Sequence, residues 1–306
     1  MVLCASDVNF GFLQLVRKRS TDLTVGPGKD MERRANILVT EVFDTELIGE
    51  GALGTYNHAA RELLTEDRLV VPGHARIWAQ AVSSSKCADW AGPQPVVLGE
   101  GRGVLQPVPG VGGHSSLALH DLQLSALQSI PAIFTPLTAP AVVFEFDLAC
   151  RTGPLPLCET KVLELSAIAG GRCDAVFMWW DCWTDPAQSI LLSCAPAWAR
   201  HAPAPPPPLP WRDHWMQAVY YPHSSCQVQP GQELCLTASH DEYSLWFDAA
   251  PAPPPGPAPL PALPRPQPGL HLAMSRTRLG QINNRERAAK LAGVVSRLVE
   301  KHHNAR

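Results

Sequence analysis

The chain has 306 residues, 45% hydrophobic and 17% charged, enough for two domains with cores of their own. A formal net charge of −3 excludes an electrostatic footprint for direct nucleic-acid binding and weakly favours cationic partners. No apolar run approaches the ~20 residues of a membrane span, and Met1 to Val16 lacks a basic leader and carries Asp7 and Asn9, so a soluble chain without a signal peptide is expected.

The first informative element is the apolar run Ile37-Leu38-Val39, which reads as a strand covered on both faces. It empties into a loop carrying Glu41, Asp44, Glu46 and Glu50. In open α/β sheets ligands bind just beyond the carboxyl ends of such strands. Carboxylates this close repel one another unless solvent or a cation screens them, and a planar guanidinium is the best-matched cation. An acidic surface loop is the alternative. Next, Tyr56, Ala59, Ala60, Leu63 and Leu64 share one face at helical spacing, which predicts a helix over Thr55 to Leu64 with Thr55 as N-cap.

Beyond Pro72 the period changes to two, and His74 to Val82 reads as the first strand of an all-β region. Further strands are predicted at Ala141 to Leu148, Lys161 to Ala169, Asp174 to Trp183, Ser189 to Cys194, Met216 to Tyr221, Leu234 to Ser239 and Tyr243 to Phe247. So many short strands imply a barrel or sandwich. Gly99-Glu100-Gly101-Arg102-Gly103 imitates a nucleotide-binding turn, but no helical pattern follows it and it stands after the acidic loop, so it is rejected. Ser115 to Leu127 has helical character.

Ala202 to Pro210 and Pro251 to Pro268 are Pro/Ala tracts expected to be extended surface linkers, with a ligand for an SH3-type domain as the other reading. Asn283 to Lys301 carries Ala288, Ala289, Leu291, Ala292, Val295, Leu298 and Val299 at helical spacing, an amphipathic helix. The nine cysteines, from Cys4 to Cys235, show no Cys-x-x-Cys spacing, which argues for buried reduced thiols rather than a disulfide framework or a zinc knuckle.

Two blocks carry a family resemblance. Leu38-Val39-Thr40-Glu41 with Phe43-Asp44-Thr45-Glu46-Leu47-Ile48-Gly49-Glu50-Gly51-Ala52-Leu53 resembles the double-E loop of the protein arginine N-methyltransferases, in the version of the monomethylating, type III branch. Trp211-Arg212-Asp213-His214-Trp215-Met216-Gln217-Ala218-Val219-Tyr220 is similar to that branch's form of the Thr-His-Trp loop, with Asp213 in place of Thr. The resemblance runs from about Ser20 to the C-terminus. It implies an α/β + β fold: residues 1–72 as the C-terminal part of a Rossmann-like S-adenosylmethionine methyltransferase domain, then a β-barrel domain over 73–249. A dimerisation arm would occupy 109–138, a Pro-rich linker 250–269, and one C-terminal helix, opening a second module, 270–306.

By the same resemblance Glu41 and Glu50 are the catalytic carboxylates that flank a substrate guanidinium. Asp44 favours basic neighbours of the target arginine and leaves less room for a methylated product. His214 braces the acidic loop and Trp215 walls the substrate channel, although a His beside a Trp in a strand-rich stretch is also an ordinary structural residue. Ser20 and Thr21 match the stretch beside the adenine ring of the S-adenosyl-L-methionine donor. A first strand with its glycine-rich turn and ribose-holding acid is not found ahead of Glu41, so donor binding and activity are expected to be impaired. The branch's Cys-x-Cys-x-x-His cluster is reduced to His271, with Pro266 and Pro268 at the cysteine positions, and no metal is expected. Expected partners are Arg-rich protein substrates such as histones, with self-association or pairing with a full-length methyltransferase, in cytoplasm and nucleus. A non-catalytic module that holds Arg-rich segments is the rival reading, and an unrelated β-sandwich with an acidic loop a third.

Overall fold

The computed structural model describes residues 2–5, 13–97, 104–106, 120–124, 133–199, 215–223, 225–252, 281 and 283–303. Strands β1 (Val2–Ala5) and β2 (Leu13–Val16) form an antiparallel pair. Strand β3 (Ala35–Val39), helix α1 (Ala52–His58) and strand β4 (Leu64–Val71) then make a βαβ unit, in which β3 and β4 run parallel. Parallel neighbours need a crossover, and α1 with the wider helical turn Ala59–Leu63 supplies it.

Two sequence expectations fail here. The helix begins at Ala52, and the position before it is Gly51 at φ 82, a left-handed conformation that glycine adopts without a Cβ penalty, so Thr55 lies inside the helix and is not its N-cap. Nor is β3 covered on both faces: Ile37 is 53% and Val39 73% exposed, because β3 and β4 are the only strands of their sheet among the described residues.

Strand β5 (His74–Ser83) leads into helix α2 (Ser85–Trp90), which Ser84 caps by accepting from Cys87 N at 3.2 Å. The strands that follow are β6 (Val96–Val97), β7 (Val104–Leu105), β8 (His120–Leu122), β9 (Thr135–Pro136), β10 (Ala141–Phe146), β11 (Glu159–Ser166), β12 (Gly171–Arg172), β13 (Ala175–Trp183) and β14 (Leu191–Ser193). After them come β15 (Gln217–Tyr220), β16 (Gln227–Val228), β17 (Glu233–His240) and β18 (Leu245–Pro251), and helix α3 (Arg285–His303) ends the described chain.

The ladders join these strands into a seven-stranded sheet of order β10-β5-β13-β15-β8, with β14 beside β13 and β9 beside β5, and a three-stranded sheet β11-β17-β18. Rings stitch the two sheets together. His240 meets Phe144 and Phe146 edge-on at 4.8 and 5.6 Å, and Tyr220 lies 4.8 Å from Phe247. The result is a curled half-barrel whose interior is apolar, with Phe177, Trp179 and Trp180 of β13 all buried.

The βαβ unit is fastened to this half-barrel by polar side chains. Asn57 of α1 donates to Leu155 O at 2.9 Å and accepts from Leu155 N at 2.7 Å, while Arg68 of β4 donates to the carbonyls of Ala149 and Cys150, each at 2.7 Å. The helix expected over Ser115 to Leu127 is contradicted at His120–Leu122, which pairs with β15 as an edge strand, and Leu124 N donates to Gln217 Oε1 at 2.8 Å. Residues 109–119 and 125–132 of the expected arm, the Pro/Ala tract at 202–210 and residues 253–268 of the second tract lie outside the described residues.

Helix α3 matches its expected span closely. Asn284 caps it by accepting from Arg287 N at 2.9 Å, and Asn283 fixes its start by donating to Gly92 O at 2.8 Å and accepting from Gln94 N at 3.0 Å. Its apolar stripe, Leu291, Val295, Leu298 and Val299, is exposed. No helix among the described residues is long and apolar enough to cross a membrane. Of the described thiols, Cys87, Cys150, Cys173, Cys182 and Cys194 are buried, Cys226 and Cys235 half-buried and Cys158 exposed.

Candidate functional site

The loop from Thr40 to Gly51 leaves the carboxyl end of β3 and returns into α1. Thr40 N still donates to Val71 O at 3.0 Å, and beyond it the chain abandons the sheet. Three apolar residues of the loop, Phe43, Leu47 and Ile48, are buried with the following Ala52, so the loop carries its own anchors. The Phe43 ring stacks on Tyr56 with centroids 6.2 Å apart and tilts against Trp180 at 5.8 Å.

The structure sorts the loop's carboxylates into two kinds. Asp44 Oδ1 accepts from Glu46 N and Gly49 N, both at 3.0 Å, and so closes the loop on itself. Gly49 permits that closure, since a Cβ there would stand 2.0 Å from Asp44 Oδ2. Glu46 is buried and turned into the half-barrel, where its Oε1 accepts from the Tyr220 hydroxyl and from Leu245 N at 3.2 Å. Glu41 and Glu50 remain exposed. Glu41 Oε1 accepts from Phe43 N at 3.1 Å, which fixes the carboxylate at the loop's entry. Glu50 stands at the exit, next to Gly51, and the ring of Tyr243 approaches Gly51 so closely that a Cβ there would lie 3.1 Å away.

The half-barrel holds this loop through its main-chain carbonyls. Trp180 Nε1 donates to Asp44 O at 3.0 Å and Trp215 Nε1 donates to Phe43 O at 3.1 Å, with the two indoles 5.1 Å apart. A carbonyl bonded by an indole N–H loses its freedom to swing, so the backbone just after Glu41 is fixed at two successive carbonyls. Tyr56, below the loop, is held as a neutral phenol. Burial raises its pKa, and the neighbouring Cys182, Cys150 and Glu41 raise it further.

Trp215 is thus brought to the loop, as a donor to its backbone. His214 lies outside the described residues, and the bracing expected of it is observed from Trp180, Trp215 and Tyr220. Trp180 and Tyr220 went unnoticed as loop holders because their sequence signal is that of ordinary strand residues. Nothing in the sequence separates Glu46 from the other acids of the loop, because charge alone does not reveal direction.

Ser20 and Thr21 form a single 3-10 turn, Ser20–Asp22, that packs against α1. Thr21 is exposed and Ser20 half-buried. The turn is followed by Asp30, whose carboxyl is held down at about 2 by the Lys18 ammonium 2.6 Å away and by the hydroxyl and amide of Thr24. Among the described residues, no group of three His, Cys, Asp or Glu converges as a metal site would require, and Pro266, Pro268 and His271 lie outside those residues.

Residues 115–250 match the family model described as the arginine methyltransferase oligomerization subdomain. The chain is 42% identical over 288 residues to protein arginine N-methyltransferase 7 of Drosophila erecta, an alignment that covers 90% of this chain and 41% of that protein. It is 40% identical over 304 residues to the protein of the same name from Aedes aegypti, covering 95% of this chain and 43% of that one. The chain therefore spans about two-fifths of the length of these curated relatives. A solved Trypanosoma brucei PRMT1 enzyme-prozyme heterotetrameric complex with AdoHcy aligns over 75% of this chain and 70% of its own at 14% identity, with a TM-score of 0.46, a likeness too distant to bear on the site.

Proposed function

We propose, from the premise that the chain is a partial member of the protein arginine N-methyltransferase family similar to protein arginine N-methyltransferase 7, that its acidic loop is the arginine-binding half of a methyl-transfer site. The observation that carries this reading is the sorting of the acids: Asp44 and Glu46 are spent on backbone amides and a tyrosine hydroxyl, while Glu41 and Glu50 are left exposed at either end of a doubly clamped loop.

A guanidinium stays protonated at any working pH, and the donor's sulfonium is also a cation. Carboxylates beside the guanidinium lower the cost of bringing the two together and hold one terminal nitrogen in line for attack, so positioning and electrostatics account for the chain's contribution. Glu41 and Glu50 are assigned this role, and either oxygen pair is a fitting acceptor for the proton released from the guanidinium. Asp44, fixed by Glu46 N and Gly49 N, adds a third negative group at an unmoving position, which fits a preference for basic flanking residues and a product limited to monomethylarginine. Histone tails are substrates of that chemistry.

A bound S-adenosyl-L-methionine would supply the methyl group. The residues assigned to it do not fit it: Ser20 and Thr21 offer two hydroxyls on an outlying turn, which cannot enclose an adenosyl group, so the steps assigned to this chain stop at the guanidinium. That mismatch favours a second reading, in which the chain holds Arg-rich segments without methylating them, or pairs with an intact methyltransferase through the region that matches the oligomerization subdomain.

Calorimetric titration with an Arg-rich peptide, with and without S-adenosylmethionine, separates these. Peptide binding that weakens by about tenfold in Glu41→Gln and again in Glu50→Gln supports the site, as expected for the loss of a charge-assisted bond. Equal binding by wild type and the double variant overturns it. Peptide-dependent methyl release in the presence of donor identifies the enzyme, and peptide binding alone identifies the module.

A further inference from the structure

We propose that Cys173 and Cys226 are a dithiol that hydrogen peroxide converts into a disulfide, a redox modification site at the base of the segment that clamps the acidic loop. The argument starts from register. Strands β12 and β16 are antiparallel, with Gly171 opposite Val228 and Arg172 opposite Gln227. One step further along both strands sets Cys173 opposite Cys226, and Cys173 N donates to Cys226 O at 2.8 Å, which shows that the pairing persists to this position.

Opposed residues of an antiparallel pair have Cα atoms about 4.5 to 5.5 Å apart and side chains on the same face, inside the roughly 4.4 to 6.8 Å that a disulfide requires. The Cys226 S–H donates to Ala249 O at 3.6 Å, which holds its sulfur at the ladder, and Cys173 stands across from it.

Their environments assign the two roles in an oxidation. Cys173 is fully buried, and the neighbouring Cys226 and its burial push its pKa up. Cys226 is only half-buried, so it is the thiol of the pair that peroxide reaches, and the neighbouring Cys173 lowers its pKa. Burial acts the other way on Cys87, pushed up to about 11, and on Cys150 and Cys235, so these thiols are poor nucleophiles.

The Cys226 thiolate attacks one oxygen of the peroxide and breaks the O–O bond. It becomes a sulfenic acid, and the departing hydroxide takes up a proton to form water. The Cys173 sulfur then attacks the Cys226 sulfur, the S–S bond forms, and hydroxide leaves with the Cys173 proton as a second water. Two thiols have lost two electrons in all, and one peroxide has been reduced to two waters. A small-molecule thiol reverses the change. The covalent loop so closed contains Trp180, Trp215 and Tyr220, the side chains that hold the acidic loop, so oxidation constrains that segment in the unfolded chain and favours the folded, clamped state.

The test uses the full chain and does not depend on arginine binding or methyl transfer. Peroxide treatment followed by non-reducing peptide mapping should give a peptide linked through Cys173 and Cys226, lighter than the sum of its parts by two hydrogens, together with a higher melting midpoint, both reversed by dithiothreitol. Cys173→Ser should strand the oxidation at a Cys226 sulfenic acid that dimedone traps. Cys226→Ser should leave Cys173 alkylatable once the chain is unfolded. If peroxide oxidises the exposed Cys158 while Cys173 and Cys226 of the wild type both remain alkylatable after unfolding, the proposal is overturned. That wild-type result decides the matter even where a serine variant fails to fold.

Discussion

Strand β3 and the acidic loop are adjacent in the chain and similarly apolar, yet they meet opposite environments. In β3, Ile37 and Val39 are largely exposed, whereas Phe43, Leu47 and Ile48 of the loop are buried against α1 and the half-barrel. The difference teaches that an apolar run states what a segment would bury, while only a partner decides what it does bury. The loop has its partner in β13, β15 and β18, whose Trp180, Tyr220 and Leu245 reach it. The outer side of β3 has none among the described residues.

Substitutions in these two regions should therefore have very unequal effects. The largest is expected from Trp180→Ala, which opens a cavity beside Phe43 and frees Asp44 O. A loss of about 3 to 5 kcal/mol is expected, read as a fall in the denaturation midpoint. Glu46→Ala comes next. It strips the acceptor from the buried Tyr220 hydroxyl and Leu245 N and should cost about 1 to 3 kcal/mol, whereas Tyr220→Phe, which removes one donor only, should cost less. A destabilisation as large as this from removing an acid of an acidic loop would separate the structural acid from the exposed pair.

Gly49→Ala puts a methyl group where Asp44 Oδ2 stands and should break the Asp44 closure at a cost of about 1 to 3 kcal/mol, with a loss of Arg-rich peptide binding that exceeds the loss of stability. Acidification acts on two histidines of the half-barrel. Burial pushes His240, and more weakly buried His74, below the ordinary value of 6.5. The unfolded chain thus binds protons first, so the stability contributed by the neutral rings is complete above about 6.5 and is lost as pH falls toward the folded values. The midpoint should drop between about pH 7 and about pH 5, and His240→Gln should flatten that slope. At the other extreme, Val39→Ser on the bare side of β3 should change stability by no more than about 0.5 kcal/mol. A loss comparable with that of Glu46→Ala would mean that β3 is covered after all and would erase the comparison.

Much of the architecture was legible because it depends on local chemistry. β-Branched and aromatic residues between turn residues along 141–148, 161–169, 174–183 and 234–239 place β10, β11, β13 and β17, and the apolar stripe from Leu291 to Val299 places α3 to within a turn. Strand β4 carries no such signal, because Thr65, Glu66, Asp67 and Arg68 make its first half polar, and β8 lies within a stretch of helical composition. The family resemblance makes Trp215 a wall of the substrate channel, and the structure adds that its indole donates to Phe43 O.

By itself the sequence determined the order of elements, the presence of an acid-rich loop after a short parallel strand, and the likeness to one methyltransferase family, because residue type and period of two or 3.6 are properties of neighbours along the chain. Tertiary structure alone decided which acids face inward. Glu46 and Glu50 differ in no way that composition records. One is closed in by a hydroxyl and an amide from strands far along the chain, and the other is not. The same holds for Cys173 and Cys226, whose meeting depends on the antiparallel register of two very short strands. Burial and pairing are set by contacts distant in sequence, and no local pattern encodes them.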